Sequence, residues 1–118
     1  MVDASLQGAH LELASLREAV LSAVDLSEAA LDGACLDSAN LQHADFSHAS
    51  LRNTSLRDAG LETAVLREAD LSSANLKGAT LPRADLEQAQ LKAANLIDAD
   101  LGHANLRRAD LSSAWLCG

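Results

Sequence analysis

The residue types best suited to chemistry stand close together at His43, Asp45 and His48, where two imidazoles flank a carboxylate. Imidazole nitrogens and carboxylate oxygens are ordinary zinc ligands, but a site needs about four of them to converge at about 2.0–2.2 Å from the metal. Convergence depends on the elements that carry these side chains. Other catalytic signals are missing, because the sequence has no glycine-rich phosphate loop, no G-x-S-x-G motif, no paired-histidine zinc motif and no C-x-x-C pair.

The secondary structure that carries these side chains is determined by a five-residue repeat. Leucine stands at every fifth position from Leu6 to Leu116, with Phe46 as the single exception, which gives 23 units without insertion or deletion. Alanine stands two residues earlier, from Ala4 to Ala114, and is replaced only by Val24 and Thr54. Each unit therefore has alanine at its first position, leucine at its third, and variable residues at its second, fourth and fifth.

This period excludes ordinary helices and flat strands. Alanine and leucine two residues apart would lie about 200° apart around an α-helix, so that helix would have no single apolar face. An odd period also sends successive leucines to opposite faces of a continuous strand. Within one unit, however, the two residues share a side of an extended segment, and a bend then restores the phase. The spacing predicts very short strands joined by bends, wound as a solenoid around a leucine-filled axis.

The A-(D/N)-L-x-x pattern resembles the pentapeptide repeat family from Ala4 onward, most clearly in ADLSSANLKGATLPRADL at 69–86 and ANLIDADLGHANLRRADL at 94–111. The early units are looser, with His10, Val20, Ala30 and Cys35 before the leucine. The resemblance implies an all-β fold, the right-handed quadrilateral β-helix, with four units in each coil. A single domain over residues 1–118 would then have about six coils and, at about 4.8 Å per coil, a length of roughly 28 Å.

If four units make one coil, residues four units apart stack in columns along the rod. Asp25, Asp45 and Asp85 share one column, with Asn105 above them, on the most acidic of the four faces. One interpretation is an acidic stripe that binds a basic partner, because stacked like charges destabilise the rod unless binding compensates. The other is that polar residues before the leucine are simply common in this repeat.

The same geometry argues against catalysis, cofactors and metal. His43, Asp45 and His48 belong to neighbouring units whose outward directions diverge, so we expect no metal site. Cys35 and Cys117 would lie four coils apart, about 19 Å, and we expect free thiols. A leucine-filled rod with a convex exterior offers no concave pocket, so we expect no enzyme and no bound cofactor. The three inward exceptions to the repeat are interpreted as packing substitutions.

Composition limits the classes of partner that the chain is expected to bind. The chain has 9 basic and 17 acidic residues, a formal net charge of −8, one Trp, one Phe and no Tyr. This composition repels phosphate and lacks aromatic platforms for bases, so we expect no direct nucleic-acid binding. The sequence has no apolar run long enough to cross a membrane, and its start, MVDASLQG, lacks the features of a signal peptide. These features predict a cytoplasmic location and no membrane contact.

An apolar cluster near the final coil is a second candidate surface. Ile97, Trp115 and Cys117 lie outward on one face of an otherwise polar rod. One hypothesis is self-association there, as an end-to-end or side-by-side homodimer. The alternatives are that Trp115 folds over the last coil, or that the chain is a segment of a longer protein. We expect no amphipathic helix to cap either end.

Two functions remain. The first is a non-enzymatic structural or interaction module that displays polar side chains to a protein partner. The second comes from the resemblance, since some pentapeptide repeat proteins resemble duplex DNA in width and charge and bind DNA gyrase or topoisomerase IV. The net charge of −8 agrees with the second. The family's DNA mimics, however, look longer and often dimerise through a C-terminal helix, so the sequence favours the interaction module.

Overall fold

The computed structural model describes residues 4–117. The chain forms a right-handed quadrilateral β-helix, as the sequence predicts. Each short strand is reduced to one bridging residue, the second of its unit, and that residue pairs in parallel with the residue 20 positions later. These bridges run from Ser5–Asp25 to Asn95–Trp115. The 20-residue offset confirms four units per coil, and residues 4–117 include no helix. The molecule measures 33 × 24 × 23 Å.

The axis is filled by the first and third residues of each unit. Leu36 and Leu66 are completely buried, and Leu86 is 1% exposed. Phe46 and Val24 fit the same interior. Thr54 is also completely buried, and its hydroxyl is satisfied there because it donates to the carbonyl of Leu31 at 3.0 Å. The fully buried part of the core extends from Leu21 to Leu96. The leucines of the first and last coils are partly exposed, because each has a neighbouring coil on one side alone.

Each corner is a tight turn of one kind. The alanine N–H of the next unit donates to the leucine carbonyl three residues earlier, as Ala29 does to Leu26 at 3.1 Å. The fifth residue of the unit has a positive φ, for example 60° at Glu28, whereas the fourth does not. A positive φ at the third residue of a four-residue turn defines type II. Most fifth residues are not glycine, so the ladders and the core must offset an unfavourable backbone conformation at nearly every corner.

Candidate functional site

The second position of each unit has a structural task that follows from counting backbone N–H groups. In an interior unit the leucine and the fifth residue donate to the next coil, as Leu26 and Glu28 do, at 2.7 and 2.9 Å. Ala29 donates within the turn and Ala30 donates to the preceding coil, both with good geometry. The fourth residue, here Ser27, is left without a backbone acceptor. A side-chain oxygen must satisfy that N–H or leave it to water.

Aspartate and asparagine at the second position supply this oxygen. Within residues 4–117, every Asp or Asn at that position accepts a hydrogen bond from the N–H two residues later, at 2.8 to 3.2 Å. This contact is an Asx-type turn, in which the side chain caps its own corner. The ten capping residues are Asp25, Asn40, Asp45, Asp70, Asn75, Asp85, Asn95, Asp100, Asn105 and Asp110.

The predicted acidic stripe consists of three such caps. Asp25 and Asp45 bridge each other on consecutive coils, but Val65 stands between Asp45 and Asp85. The Oδ1 of Asp25 accepts from the N–H and hydroxyl of Ser27 at 3.0 and 2.6 Å. These bonds, the hydroxyl first, hold the pKa of Asp25 below its ordinary value. The column is therefore interrupted, and its carboxylates contribute to the fold whether or not they also bind a partner.

Asp85, in contrast to Asp25 and Asp45, has a cation and an amide as neighbours. Its Oδ2 lies 3.4 Å from Arg67 Nε, and its Oδ1 accepts from Asn105 Nδ2 at 2.9 Å. The same guanidinium contacts Glu87 Oε2 at 2.6 Å, and this hydrogen bond is the main reason that the pKa of Arg67 is raised. Asp25 and Asp45 are left as the part of the stripe without a cation within 4 Å among residues 4–117. Binding through this stripe stays a prediction.

The predicted apolar patch consists of Ile97, Trp115 and Cys117, near the last coil of the rod. The backbone of Trp115 bridges Asn95, and 62% of the residue is exposed. Cys117 is exposed and Ile97 is half-buried. Leu116, which the sequence analysis did not include in this surface, is 55% exposed. Self-association through the patch stays a prediction.

The histidines and cysteines remain apart. His43 Nδ1 contacts the Thr63 hydroxyl at 2.5 Å. His48 lies at the next corner of the coil, and its Nδ1 is 3.6 Å from Glu68 Oε2, one coil further along the rod. The described part of the chain has no cluster of three metal-ligating side chains. Cys35 is half-buried and bridges Ser15 and Ser55 through its backbone, four coils from the unit that carries Cys117. Both thiols are free.

A shallow cleft on a third face was not found from the sequence. It has a volume of about 320 Å³ and is lined by Glu62, Thr63, Pro82, Arg83 and His103, which we call the Arg83 cleft. Its shape follows from the columns, because the short Thr63 and Pro82 lie among longer side chains. Gly102, above Pro82, has no side chain to close the upper end. The residue types that shape the cleft are visible in the sequence, but they can be recognised as neighbours only when residues 20 apart are stacked.

Polar contacts leave one cation of this cleft free. Glu62 Oε2 accepts from Gln42 Nε2 at 3.0 Å, and the Thr63 hydroxyl donates to the Glu62 carbonyl at 2.7 Å. Arg83, in contrast, has no carboxylate within 4 Å among residues 4–117. The cleft therefore combines an exposed arginine, Arg83, with the apolar ring of Pro82.

These features agree with the comparisons. The sequence model described as pentapeptide repeats matches in eight copies, over residues 1–37, 34–72, 44–81, 61–88 and 84–118. The chain belongs to the pentapeptide repeat family. No curated protein sequence compared with it matches significantly. Residues 4–117 include no helix, and so no helical segment that is long and apolar enough to cross a membrane.

Solved structures of cyanobacterial proteins are similar over most of the chain. HetL of Nostoc sp. strain PCC 7120, a pentapeptide repeat protein involved in heterocyst differentiation regulation, is 34% identical over 98% of the chain, with a TM-score of 0.81. The chain spans 63% of HetL, less than two thirds of its length. Rfr23 of Cyanothece 51142 is 28% identical over 97% of this chain and 88% of its own, with a TM-score of 0.85. The alr5209 protein of Nostoc PCC 7120 is 39% identical over 75% of this chain and 70% of its own, with a TM-score of 0.70.

Proposed function

We propose that this chain is a non-enzymatic interaction module of the cytoplasm, a rigid rod that presents outward side chains to a protein partner. The observation that carries the proposal is the separation of roles within each unit. Alanine and leucine fill the axis, and the backbone ladders run the length of the rod, while the outward positions accept many residue types, even the second position with its ten Asp and Asn caps. The bridging column from Ser5 to Asn105 includes a hydroxyl, carboxylates, an amide and the aliphatic Val65 on one unchanged backbone.

Such an arrangement suits recognition more than catalysis. A surface of columns with a fixed spacing of about 4.8 Å holds side chains at known distances without any change in the fold. The Arg83 cleft is shallow and open, which suits contact with a partner's side chain more than enclosure of a substrate. HetL is described as involved in the regulation of heterocyst differentiation, and the similarity of this chain to HetL is consistent with a binding role. We therefore place the activity of this chain in binding, with a protein as the partner.

Mimicry of DNA toward gyrase or topoisomerase IV is the second candidate. The net charge of −8 supports it, since a basic DNA-binding surface would attract the rod. The geometry gives it less support, because Val65 interrupts the acidic column and Arg67 pairs with both Asp85 and Glu87, which offsets part of their negative charge. A phosphate mimic needs regularly spaced charges that are free to contact a partner. We rank this function below the general interaction module.

The test is affinity capture from the cells that encode the chain, with the tagged rod as bait and four matched variants. Each variant has the fourth and fifth residues of one face changed to serine in the two middle coils, which leaves the core and the second-position caps unchanged. We expect one protein to be captured by the original rod and lost with one variant. Capture of no protein above the tag alone, or equal capture by all four variants, would contradict the proposal.

A gyrase supercoiling assay addresses the second candidate directly. Purified gyrase and relaxed plasmid are incubated with the rod at micromolar excess, and supercoiled product is measured. We expect no inhibition. Inhibition that is lost in an Asp25→Asn, Asp45→Asn double variant would instead favour the DNA mimic, because asparagine keeps both turn caps and removes only the charge.

A further inference from the structure

We propose that the Arg83 cleft is a recognition site for a carboxylate side chain of a protein partner, an aspartate or glutamate that pairs with the Arg83 guanidinium beside Pro82. The inference rests on the interaction function proposed above and names the part of the surface that anchors the partner. It combines three observations, namely the shape of the cleft, the unpaired state of its arginine, and the sign of the surrounding charge.

Arg83 differs from the arginines that support the rod. Arg17, Arg52 and Arg67 each have a carboxylate within 4.0 Å, with Asp37, Asp70 and Asp85 as their partners. Arg83 has none within that distance among residues 4–117. Other cations, among them Arg57, Arg107 and Arg108, also lack a carboxylate there, but none of them lines the cleft. Arg83 therefore combines two properties, a place in the wall of the cleft and the lack of a carboxylate within 4 Å among residues 4–117.

The one carboxylate in the cleft does not occupy this position. Glu62 is hydrogen-bonded through Oε2 to Gln42 on the coil before it, at 3.0 Å, which directs the carboxylate away from Arg83. Thr63 is engaged with His43 and with the carbonyl of Glu62. Arg83 and His103, stacked on consecutive coils, are then the donors left for a ligand. A guanidinium binds a carboxylate through two parallel hydrogen bonds, a geometry that ammonium groups do not offer.

The size of the cleft and its surroundings limit the ligand. A volume of about 320 Å³ is at the lower limit of common ligand pockets, so the cleft accepts a side chain and not a folded segment. The net charge of −8 disfavours free anions and strongly acidic partners. The best fit is a single carboxylate on a segment that is otherwise neutral or basic, since long-range attraction then brings the segment to the rod and Arg83 fixes its register.

Titration with short peptides, observed by NMR, tests the inference. The acetylated and amidated peptide Lys-Glu-Lys is added to the isotopically labelled rod, and Lys-Gln-Lys is the matched control without the carboxylate. We expect saturable shifts at the amides of Thr63, Arg83 and His103 with the glutamate peptide alone. Arg83→Gln should weaken binding about fivefold, the effect of losing one partly exposed ion pair. Arg57→Gln, on another face, should leave binding unchanged. Equal shifts with the glutamine peptide, equal binding by Arg83→Gln, or no shift at millimolar peptide would overturn the proposal.

Inorganic phosphate at matched ionic strength separates a carboxylate site from a general anion site. We expect phosphate to bind more weakly than the glutamate peptide, and stronger phosphate binding at the same amides would overturn the assignment. The affinity capture described above separates this inference from the proposed function. A partner captured equally by the original rod and by Arg83→Gln would leave the interaction function standing and refute the role of the cleft.

Discussion

The carboxylate of Asp37 accepts a hydrogen bond from the backbone N–H of Arg57, one coil further along the rod, at 3.1 Å. The same Oδ1 accepts from the hydroxyl of Ser55 at 2.5 Å. Ser55 occupies the second position of its unit, where ten other units have a capping Asp or Asn. The neighbouring coil thus supplies the cap that this unit lacks. Asp32 does the same for Ser50 and Arg52, at 2.5 and 3.0 Å.

This relationship predicts a loss and a rescue. We expect Asp37→Ala to lower the free energy of unfolding by about 1–2 kcal/mol, because the Arg57 N–H and the Ser55 hydroxyl lose their acceptor. Adding Ser55→Asp should restore most of that loss, since an aspartate at residue 55 would cap its own turn as Asp45 does. Urea unfolding of the single and double variants measures both effects. A double variant no more stable than Asp37→Ala would contradict the equivalence of the two caps.

Acid should weaken the rod through its capping carboxylates. Asp25 accepts hydrogen bonds from Ser27, and Asp110 accepts from Ser112. These bonds lower the pKa of both carboxyl groups below the ordinary value of 3.8. Burial raises the pKa of Asp37, but hydrogen bonds from Ser55, Arg57 and Cys35 outweigh it and leave that pKa lowered as well. A carboxyl with a lowered pKa in the folded state stabilises the fold above its unfolded pKa, and that stability is lost as pH falls through the folded value.

We therefore expect the free energy of unfolding to be nearly constant from about pH 7 to pH 5 and to fall below about pH 4. Replacement of Asp25, Asp37 and Asp110 by asparagine should flatten the fall, because an amide keeps an acceptor oxygen and does not titrate. Urea midpoints at four pH values provide the measurement. A triple variant with the same acid sensitivity as the original chain would assign the effect to other groups.

The corners predict a stabilising substitution. A side chain in the left-handed region costs about 1–2 kcal/mol, whereas glycine raises the entropy of the unfolded chain by about 0.5–1 kcal/mol. Ala93 is exposed and has a φ of 56°, so Ala93→Gly should raise the free energy of unfolding by about 0.5–1 kcal/mol.

Two glycines provide the matched controls. Gly8 has a φ of 64° and open space around a would-be Cβ, so Gly8→Ala should destabilise through the backbone alone. Gly60 bridges its neighbours without a positive φ, and a Cβ there would approach no atom closer than 3.9 Å, so Gly60→Ala should be tolerated. Thermal unfolding ranks the three variants, and equal effects at Gly8 and Gly60 would contradict the argument from φ.

Burial along the axis predicts a gradient of cost. Leu66 is completely buried in the middle of the rod, and Leu66→Ala should cost about 2–5 kcal/mol by leaving a cavity. Leu6, partly exposed in the first coil, should cost clearly less when replaced by alanine, since it has a neighbouring coil on one side only. Chemical denaturation measures the difference. Equal losses at both positions would mean that the first coil is covered in solution.

The apolar patch predicts association that depends on Trp115. We expect the mass from light scattering to rise with concentration, and Trp115→Ala to remain monomeric over the same range, because the exposed ring is the largest apolar group in the patch. Cys117→Ser under reducing conditions is the control for disulfide-linked dimers. A monomer at every concentration, unchanged by Trp115→Ala, would refute self-association through this surface.

The sequence by itself determined the interior. An alanine and a leucine in every five residues can be buried together only if the chain bends after each short strand, so the solenoid and its core residues followed from the spacing. Four units per coil came from the family resemblance, because periodicity alone is consistent with other numbers of corners. The sequence also placed Asp25, Asp45 and Asp85 in one column, but it did not separate their capping role from a binding role, since the unpaired N–H of each turn is a property of the folded backbone.

Only the tertiary structure determined which side chains contact each other between neighbouring coils. Asp37 caps Arg57 and Arg67 pairs with Asp85 through contacts between residues about 20 apart, whereas Arg83 has no carboxylate within 4 Å among residues 4–117. Pro82 occupies the fourth position of its unit, where the fold provides no backbone acceptor, so its missing N–H costs nothing there. Such contacts depend on side-chain lengths and directions across stacked coils, which local sequence patterns do not encode.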